Sequence, residues 1–432
     1  MDGQMGTTIQ EIHLLAFLHE RAVHRERPLA RNEQATLALA GAALREADRV
    51  VVLLGGKAGR LGETVVATAL LEGALAALRV TGRVGVPVTI CVDAGCFELF
   101  QERLYQQRWW PSITCQPIDA GQRSEPPEHF APGITGRRLL IVDLHGEHDA
   151  TPPLLRVTEE PASETQGEPR RITTLANLAR LAIRSYAARG PLRRYADGVE
   201  ELFDLPAGSI AGEIAQPHIP LSPADEARYP LLAKEQGIAS TDTLIVCFFQ
   251  SVVAAKVYER WGEVMLALGA WAAQRLPGRR LHFLVACGPD ELHPNGPTQA
   301  DLAAAFADFA GVAGNAVVTV TRMSSLRDLA VVTRFAALTL SNDTGPGQLS
   351  GALGIPTVTP YLPGAVYSRQ VWASSLAHRG VSLDPSPFSR LEVEASVLWN
   401  RTDVINAIPP EALADEAIAA LAPLASQAGE SQ

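Results

Sequence analysis

Residues 338–364 read LTLSNDTGPGQLSGALGIPTVTPYLPG, and one βαβ unit is legible within them. The apolar run 335–340 has the length and composition of a buried parallel strand. It stops at Ser341-Asn342-Asp343-Thr344-Gly345-Pro346-Gly347, a dense cluster of turn formers. A helical pattern follows, with Leu349 and Leu353 flanking small residues, and then Thr357 to Tyr361 as a second short strand. The free N–H groups and dipole at the start of such a helix suit an anion such as a diphosphate. Pro346 fits the first helical turn, where its missing N–H costs nothing. Asp343 and Thr344 also suit a purely structural helix cap, so the pattern alone defines a site and not a function.

The surroundings set bounds. A chain of 432 residues is too long for one ordinary core, so two domains are expected. With 47% hydrophobic and 19% charged residues it belongs among globular proteins. No apolar run reaches the roughly 18 residues of a membrane span, and the acidic N-terminus does not resemble a signal peptide, so a cytoplasmic protein is expected. Cys91, Cys96, Cys115, Cys247 and Cys287 lack CxxC spacing and read as free buried thiols. A net charge of −10 and the lack of a basic run argue against nucleic acid as a partner.

Working back to the start, residues 1–47 carry two helical patterns, led by Ile9, Ile12, Leu15 and Phe17 and by Leu37, Leu39, Ala43 and Leu44. They read as a helical extension. The run 50–54 (VVVLL) is a central strand ending in a Gly-rich loop, GGKAGRLGET, with a helix from Thr64 to Leu78. Strands are expected at 86–92 and 139–144, an exposed loop over the Pro-, Glu- and Thr-rich residues 151–171, and helices at 173–189 and 192–204. This is a Rossmann-like half. Residues 205–242, rich in Pro, Gly and Ala, precede a second series. Its strands are expected at 244–249, 281–286 and 317–320, and its helices at 261–274, 299–309 and 324–333. Residues 366–432 read as aromatic-containing loops and a final helix, 410–421, stopped by Pro423. The divisions expected are 1–47 as extension, 48–215 as first domain, 216–242 as linker, 243–385 as second domain and 386–432 as closing loop and helix.

Several polar groups sit where strands end, which in open α/β sheets faces ligand. Asp143, His145, Glu147 and His148 form the densest such cluster; acceptor binding, a plain loop and, through the His pair, a metal site are all compatible with it. Asp290 and Glu291 follow another strand and could bond a ribose or base, or line a solvated turn. Trp109, Trp110 and Trp372 fit packing better than a sugar platform. Gly55, Gly56 and Gly59 fail the spacing of a dinucleotide fingerprint.

Taken in order, RLGE (60–63), DLHG (143–146), ERW (259–261), GPDE (288–291) and NDTGPGQLSGALGIPTV (342–358) resemble the heptosyltransferase family, glycosyltransferase family 9. The resemblance runs from Val50 to Leu421, and its specific part is the DTGP segment. It implies an α/β protein of GT-B architecture, two facing Rossmann-like domains, and an inverting transfer of a sugar to a hydroxyl of a small-molecule or saccharide acceptor. The donor would be a nucleotide diphosphate sugar, in that family usually an ADP-heptose, with no cofactor and no metal. Carried over, Asp343, Thr344 and Gly345 hold the donor diphosphate. Gln348 stands where the family commonly has a His, and it cannot carry a proton. Glu63 stands at the family's catalytic Asp and becomes the expected base, its carboxylate displaced by about a bond length. Glu259 replaces the family's Lys, so Lys256 or Arg260 is expected at the phosphates, with Lys256 favoured because it follows the loop Gln250-Ser251-Val252. Glu291 joins the donor set; Arg60, Asp143, His145 and His148 form the acceptor set. A nucleotide-sugar epimerase or hydrolase of the same fold, or a degenerate non-catalytic partner protein, are the rival readings.

Overall fold

The structure is a computed structural model, and it describes residues 31–54, 61–119, 137–143, 154–160, 170–176, 199–200, 203–210, 217–289, 296–307, 309, 315–363, 378–383 and 386–430. The chain divides into two compact units, Met1–His218 and Ile219–Gln432. The helix expected around residues 9–17 lies outside the described residues.

In the first unit, α1 (Arg31–Glu46) leads into β1 (Arg49–Leu54), the VVVLL run, which is buried along its length. After it come α2 (Leu61–Val80), β2 (Val88–Asp93), α3 (Glu102–Arg108), β3 (Ile113–Ile118), β4 (Arg138–Asp143), β5 (Leu154–Glu160) and β6 (Arg170–Ala176). The sheet order is β3-β2-β1-β4-β6-β5. All neighbours are parallel except β5, which runs antiparallel to β6. Burial on both faces is why its central strands are unbroken Val, Ile and Leu runs, with Val51, Leu53, Leu139, Ile141 and Ile172 in one core cluster.

Three expectations change here. Residues 151–171, read as an exposed loop, contain β5 and the start of β6. The helix expected from 173 is pre-empted by β6, and the rest of it lies outside the described residues. The helix after β1 begins at Leu61 and not at Thr64, so Gly62 and Glu63 are in its first turn and not in a loop.

The second unit opens with α4 (Pro223–Glu226) and α5 (Tyr229–Glu235), so the segment read as a linker is folded. Ser222 and Asp225 form a capping box, and the buried Arg327 donates to both oxygens of Asp225 at 3.0 and 2.6 Å and to Pro220 O at 3.2 Å. Burial alone would raise the Asp225 pKa; the hydrogen bonds from Arg327 and Ser222 outweigh it and hold the carboxyl well below the usual range. Next come β7 (Thr243–Phe248), α6 (Trp261–Arg275), β8 (Leu281–Cys287), α7 (Gln299–Ala305), β9 (Ala316–Arg322), α8 (Leu326–Arg334), β10 (Leu338–Ser341), α9 (Gly345–Ala352), β11 (Thr357–Pro360), β12 (His378–Val381), α10 (Arg390–Leu398), α11 (Asp403–Asn406) and α12 (Pro410–Glu430). Gly354, at φ 77°, ends α9 in a conformation that glycine adopts without strain.

This sheet is ordered β12-β11-β10-β7-β8-β9 and is parallel throughout. Counted within the unit, that is the doubly wound Rossmann order, and the direction of winding reverses between β7 and β10. Trp261, Met265 and Leu268 of α6 and Leu413, Ala417 and Leu421 of α12 share a core with the strands. α12 runs on past Pro423, which was expected to stop it. The elements β12, α10 and α11 fall in residues that were read only as loop. None of the five cysteines forms a disulfide, and four of them are buried; burial pushes the Cys91 and Cys115 thiols to about 12.

Candidate functional site

Ligands of open α/β sheets bind outside the carboxyl ends of the strands where the winding reverses. In the second unit that point is flanked by the segments leaving β7 and β10, and one side chain fixes both. Asn342, with 0% exposure, receives Tyr258 N (3.2 Å) and Trp261 Nε1 (2.9 Å) on Oδ1, and donates from Nδ2 to Phe249 O (2.6 Å). Its backbone N–H also donates to Phe248 O at 2.9 Å. On the far side Gln250 ties the same segment to β8, accepting from Gly288 N at 2.7 Å and donating to Pro297 O at 3.0 Å. Ser251 accepts from Val253 N at 3.2 Å, which turns the chain into the short helical turn Ala254–Lys256. With both segments held, Lys256 and Asp343 meet: Nζ lies 2.6 Å from Oδ2, with side-chain exposures of 22% and 11%.

The N-terminus of α9 follows directly. Thr344 is its N-cap, in extended conformation, yet no side chain caps the helix, and Pro346 occupies the first turn. The capping role open to Asp343 and Thr344 from sequence is therefore not one their side chains perform. The helix sits very close to β10, because a Cβ on Gly347 would lie 2.5 Å from Ser341 Oγ and 3.1 Å from its Cβ. A glycine in an unhindered helix is stabilised by conversion to alanine. Gly347→Ala is expected to do the opposite and lower stability by about 1–3 kcal/mol, read as a lower urea midpoint; an unchanged or higher midpoint would show that α9 can lift off β10.

Beneath α9 the sheet is polar. Thr339, Ser341, Thr357 and Thr359 are all buried, and Thr339 Oγ1 donates to Ser350 Oγ at 3.1 Å. His378 extends this face: Nε2 lies 2.9 Å from Tyr361 Oη and 3.0 Å from Thr359 Oγ1, while Nδ1 is buried without a hydrogen-bond partner. Burial lowers the imidazole pKa to about 4 against the opposing pull of Asp343, so the ring is neutral at pH 7. Gln348 is 5% exposed, and its Oε1 also lacks a partner.

Of the expected donor residues, the structure brings Lys256, Asp343, Thr344, Gly345 and Gln348 to one place, with the buried Ser251 shaping the loop that carries Lys256. Arg260, the alternative cation, is exposed and paired with both oxygens of Glu263 at 2.8 and 2.9 Å. Glu259 faces away, donating from its backbone to Asn406 at 2.7 Å and accepting from Thr402 at 3.2 Å. The buttress formed by Thr402, Asn406 and Ile408, whose carbonyl accepts from Tyr258 Oη at 2.9 Å, was not anticipated, nor was His378. A lone His before Arg-Gly carries no motif, and contacts across some 150 residues leave no local pattern.

In the first unit the winding reverses between β1 and β4. Glu63 is in the first turn of α2, and Asp143, half-buried, ends β4 in register with Leu53 of β1. Arg60, His145, His148 and Glu291 lie outside the described residues, as do Trp372 and most of the Gly-rich loop. Among the described residues no group of three or more His, Cys, Asp or Glu side chains is placed to hold a metal ion, and no helix is long and apolar enough to cross a membrane. Trp109 and Trp110 pack edge to face at 6.3 Å, with Arg79 over the Trp109 ring at 4.2 Å.

No family model matches this chain, and no curated protein does. Its fold is similar to solved glycosyltransferase structures. One is a glycosyl transferase family 9 protein from Veillonella parvula, at 15% identity over 88% of this chain and 97% of that one, TM-score 0.47. A second is the E. coli ADP-heptose lps heptosyltransferase II, at 13% identity over 87% and 99%, TM-score 0.48. A third is an E. coli heptosyltransferase with ADP-2-deoxy-2-fluoro heptose, at 15% identity over 81% and 98%, TM-score 0.40. At these scores and identities the likeness does not assign a function.

Proposed function

We propose that the second unit binds the diphosphate of a nucleotide sugar, and that the protein is an inverting glycosyltransferase delivering that sugar to a hydroxyl of a small-molecule or saccharide acceptor. The observation that carries the reading is the placement of Lys256 beside Asp343 at the winding reversal, next to an N-terminus of α9 that no side chain caps. A leaving diphosphate needs a cation and fixed N–H donors where its charge develops, and such electrostatic stabilisation is commonly the largest single catalytic contribution. Lys256 and the first turn of α9 supply both. The residues Asp343-Thr344-Gly345 that resemble the heptosyltransferase loop are the ones at this N-terminus. Lys256 stands in for the cation that Glu259 no longer provides. Glu63 is the proposed base for the acceptor hydroxyl.

Nucleoside diphosphates are expected to raise the melting temperature, since a ligand at roughly 100 times its dissociation constant stabilises the native state by about 2.7 kcal/mol. Lys256→Ala should weaken that binding by about tenfold or more, as expected for loss of a charge-assisted contact. Lack of binding across ADP, UDP, GDP, CDP and their sugars by calorimetry would remove the reading.

A further inference from the structure

Lys256 already has an anionic partner inside the protein. Asp343 lies 2.6 Å from its ammonium, the two are largely sheltered from water, and neither can drift far. Tyr258, two residues after Lys256, and Asn342, one residue before Asp343, are hydrogen-bonded to each other at 3.2 Å. Asp343 is also followed directly by Thr344, the N-cap of α9. An anion seated on that N-terminus therefore meets two obstacles: its cation is engaged, and a carboxylate stands beside it. Both obstacles come from the same side chain.

We infer that Asp343 is an internal competitor for the diphosphate, a residue that sets the affinity of the site by holding Lys256 until a ligand of sufficient charge displaces it. The inference rests on the donor reading above. A diphosphate offers more charge and more acceptor oxygens than a single phosphate, so it recovers more from Lys256 and α9 for the same cost of displacing Asp343. A single inorganic phosphate recovers less. The pair thus acts as a threshold against small anions, present in the resting protein and exchanged when donor arrives.

Calorimetry with inorganic pyrophosphate, inorganic phosphate and ADP, without added metal, tests this on the full chain. Asp343→Asn keeps the shape and removes the charge. It is expected to bind pyrophosphate and ADP about tenfold more tightly than wild type, the order expected for one negative charge removed from a few ångström away in partly screened surroundings. Phosphate meets the same displacement cost and should gain by a similar factor, which brings its weaker binding into the measurable range. The gain should shrink in a Lys256→Ala background, because there the carboxylate has no cation to withhold.

Two results overturn the inference: Asp343→Asn binding these anions no more tightly than wild type, and a gain that is the same with and without Lys256. If Asp343→Asn does not fold, Asp343→Ser carries the same comparison, and failure of both to fold makes the carboxylate a structural requirement and ends the competitor role. Failure of wild type and variants alike to bind any nucleoside diphosphate would instead sink the donor reading itself. Binding in wild type that depends on Lys256 but not on Asp343 would leave the donor reading standing and only the competition refuted.

Discussion

Asn342→Ala is expected to lower the stability of the second unit by about 3–5 kcal/mol, among the largest effects a single substitution produces. The side chain is fully buried and serves three partners on the neighbouring segment: Tyr258 N, Trp261 Nε1 and Phe249 O. Truncation leaves each of them buried without a replacement, at about 1–3 kcal/mol per group. Urea unfolding followed by far-UV circular dichroism reads the change; a loss below about 1 kcal/mol would mean that the segments after β7 and β10 are held by something else. Asn342→Asp refines the test. The isosteric carboxyl keeps the acceptor for Tyr258 and Trp261 but turns the donor to Phe249 into an oxygen facing an oxygen, and its ionised form is buried. Its native pKa is then raised. The variant is most stable below about pH 4, where native and unfolded states are both protonated, and loses stability as pH rises toward that raised value. Wild type has no such slope from this position.

Glu63→Gln is expected to lower turnover by roughly 10²–10⁴-fold, the usual value of general-base help, while nucleotide-sugar binding stays within about threefold of wild type. The amide retains the shape of the carboxyl and removes its ability to take a proton. Loss of a negative charge from the first turn of α2 costs only about 0.3–1 kcal/mol, so the variant should fold. A competing reading gives Glu63 no more than that helix-terminal role. Single-turnover rates with a donor that binds in calorimetry separate the two: unchanged turnover in Glu63→Gln would leave Glu63 as a charge on a helix end and the base unassigned.

How much of this was legible depended on whether the information was local. Buried parallel strands must be continuous apolar runs, so 50–54, 244–249 and 281–286 announced β1, β7 and β8, and the turn cluster after β10 announced the start of α9. β5 and β6 escaped because an antiparallel pair at a sheet edge needs no such run, and LLRVTEE and RRITTLA present charged and hydroxyl residues instead. The start of α2 was misplaced by three residues because Gly62 reads as a loop residue, although helix termini accept it. Pro423 was given too much weight, since a helix anchored by Leu413, Ala417 and Leu421 can absorb one missing hydrogen bond. The preference for Lys256 over Arg260 rested in the sequence only on its following the loop Gln250-Ser251-Val252. Its structural support lies further off, in Glu263, which pairs with Arg260, and in Asn342, 84 residues beyond Tyr258.

The packing of α12 on α6 bears on how the protein is made. Trp261, Met265 and Leu268 emerge from the ribosome with β7, but Leu413, Ala417 and Leu421, which share their core, are synthesised only after every strand of the sheet. Until then the nascent second unit displays an apolar helix face with its natural cover still untranslated. The first unit needs no residue from beyond 218 for its own sheet and can fold while the second waits. A stall or premature stop between β12 and α12 would thus release a chain whose loop 342–347 is complete in sequence but whose core is open, a species suited to chaperone capture or proteolysis.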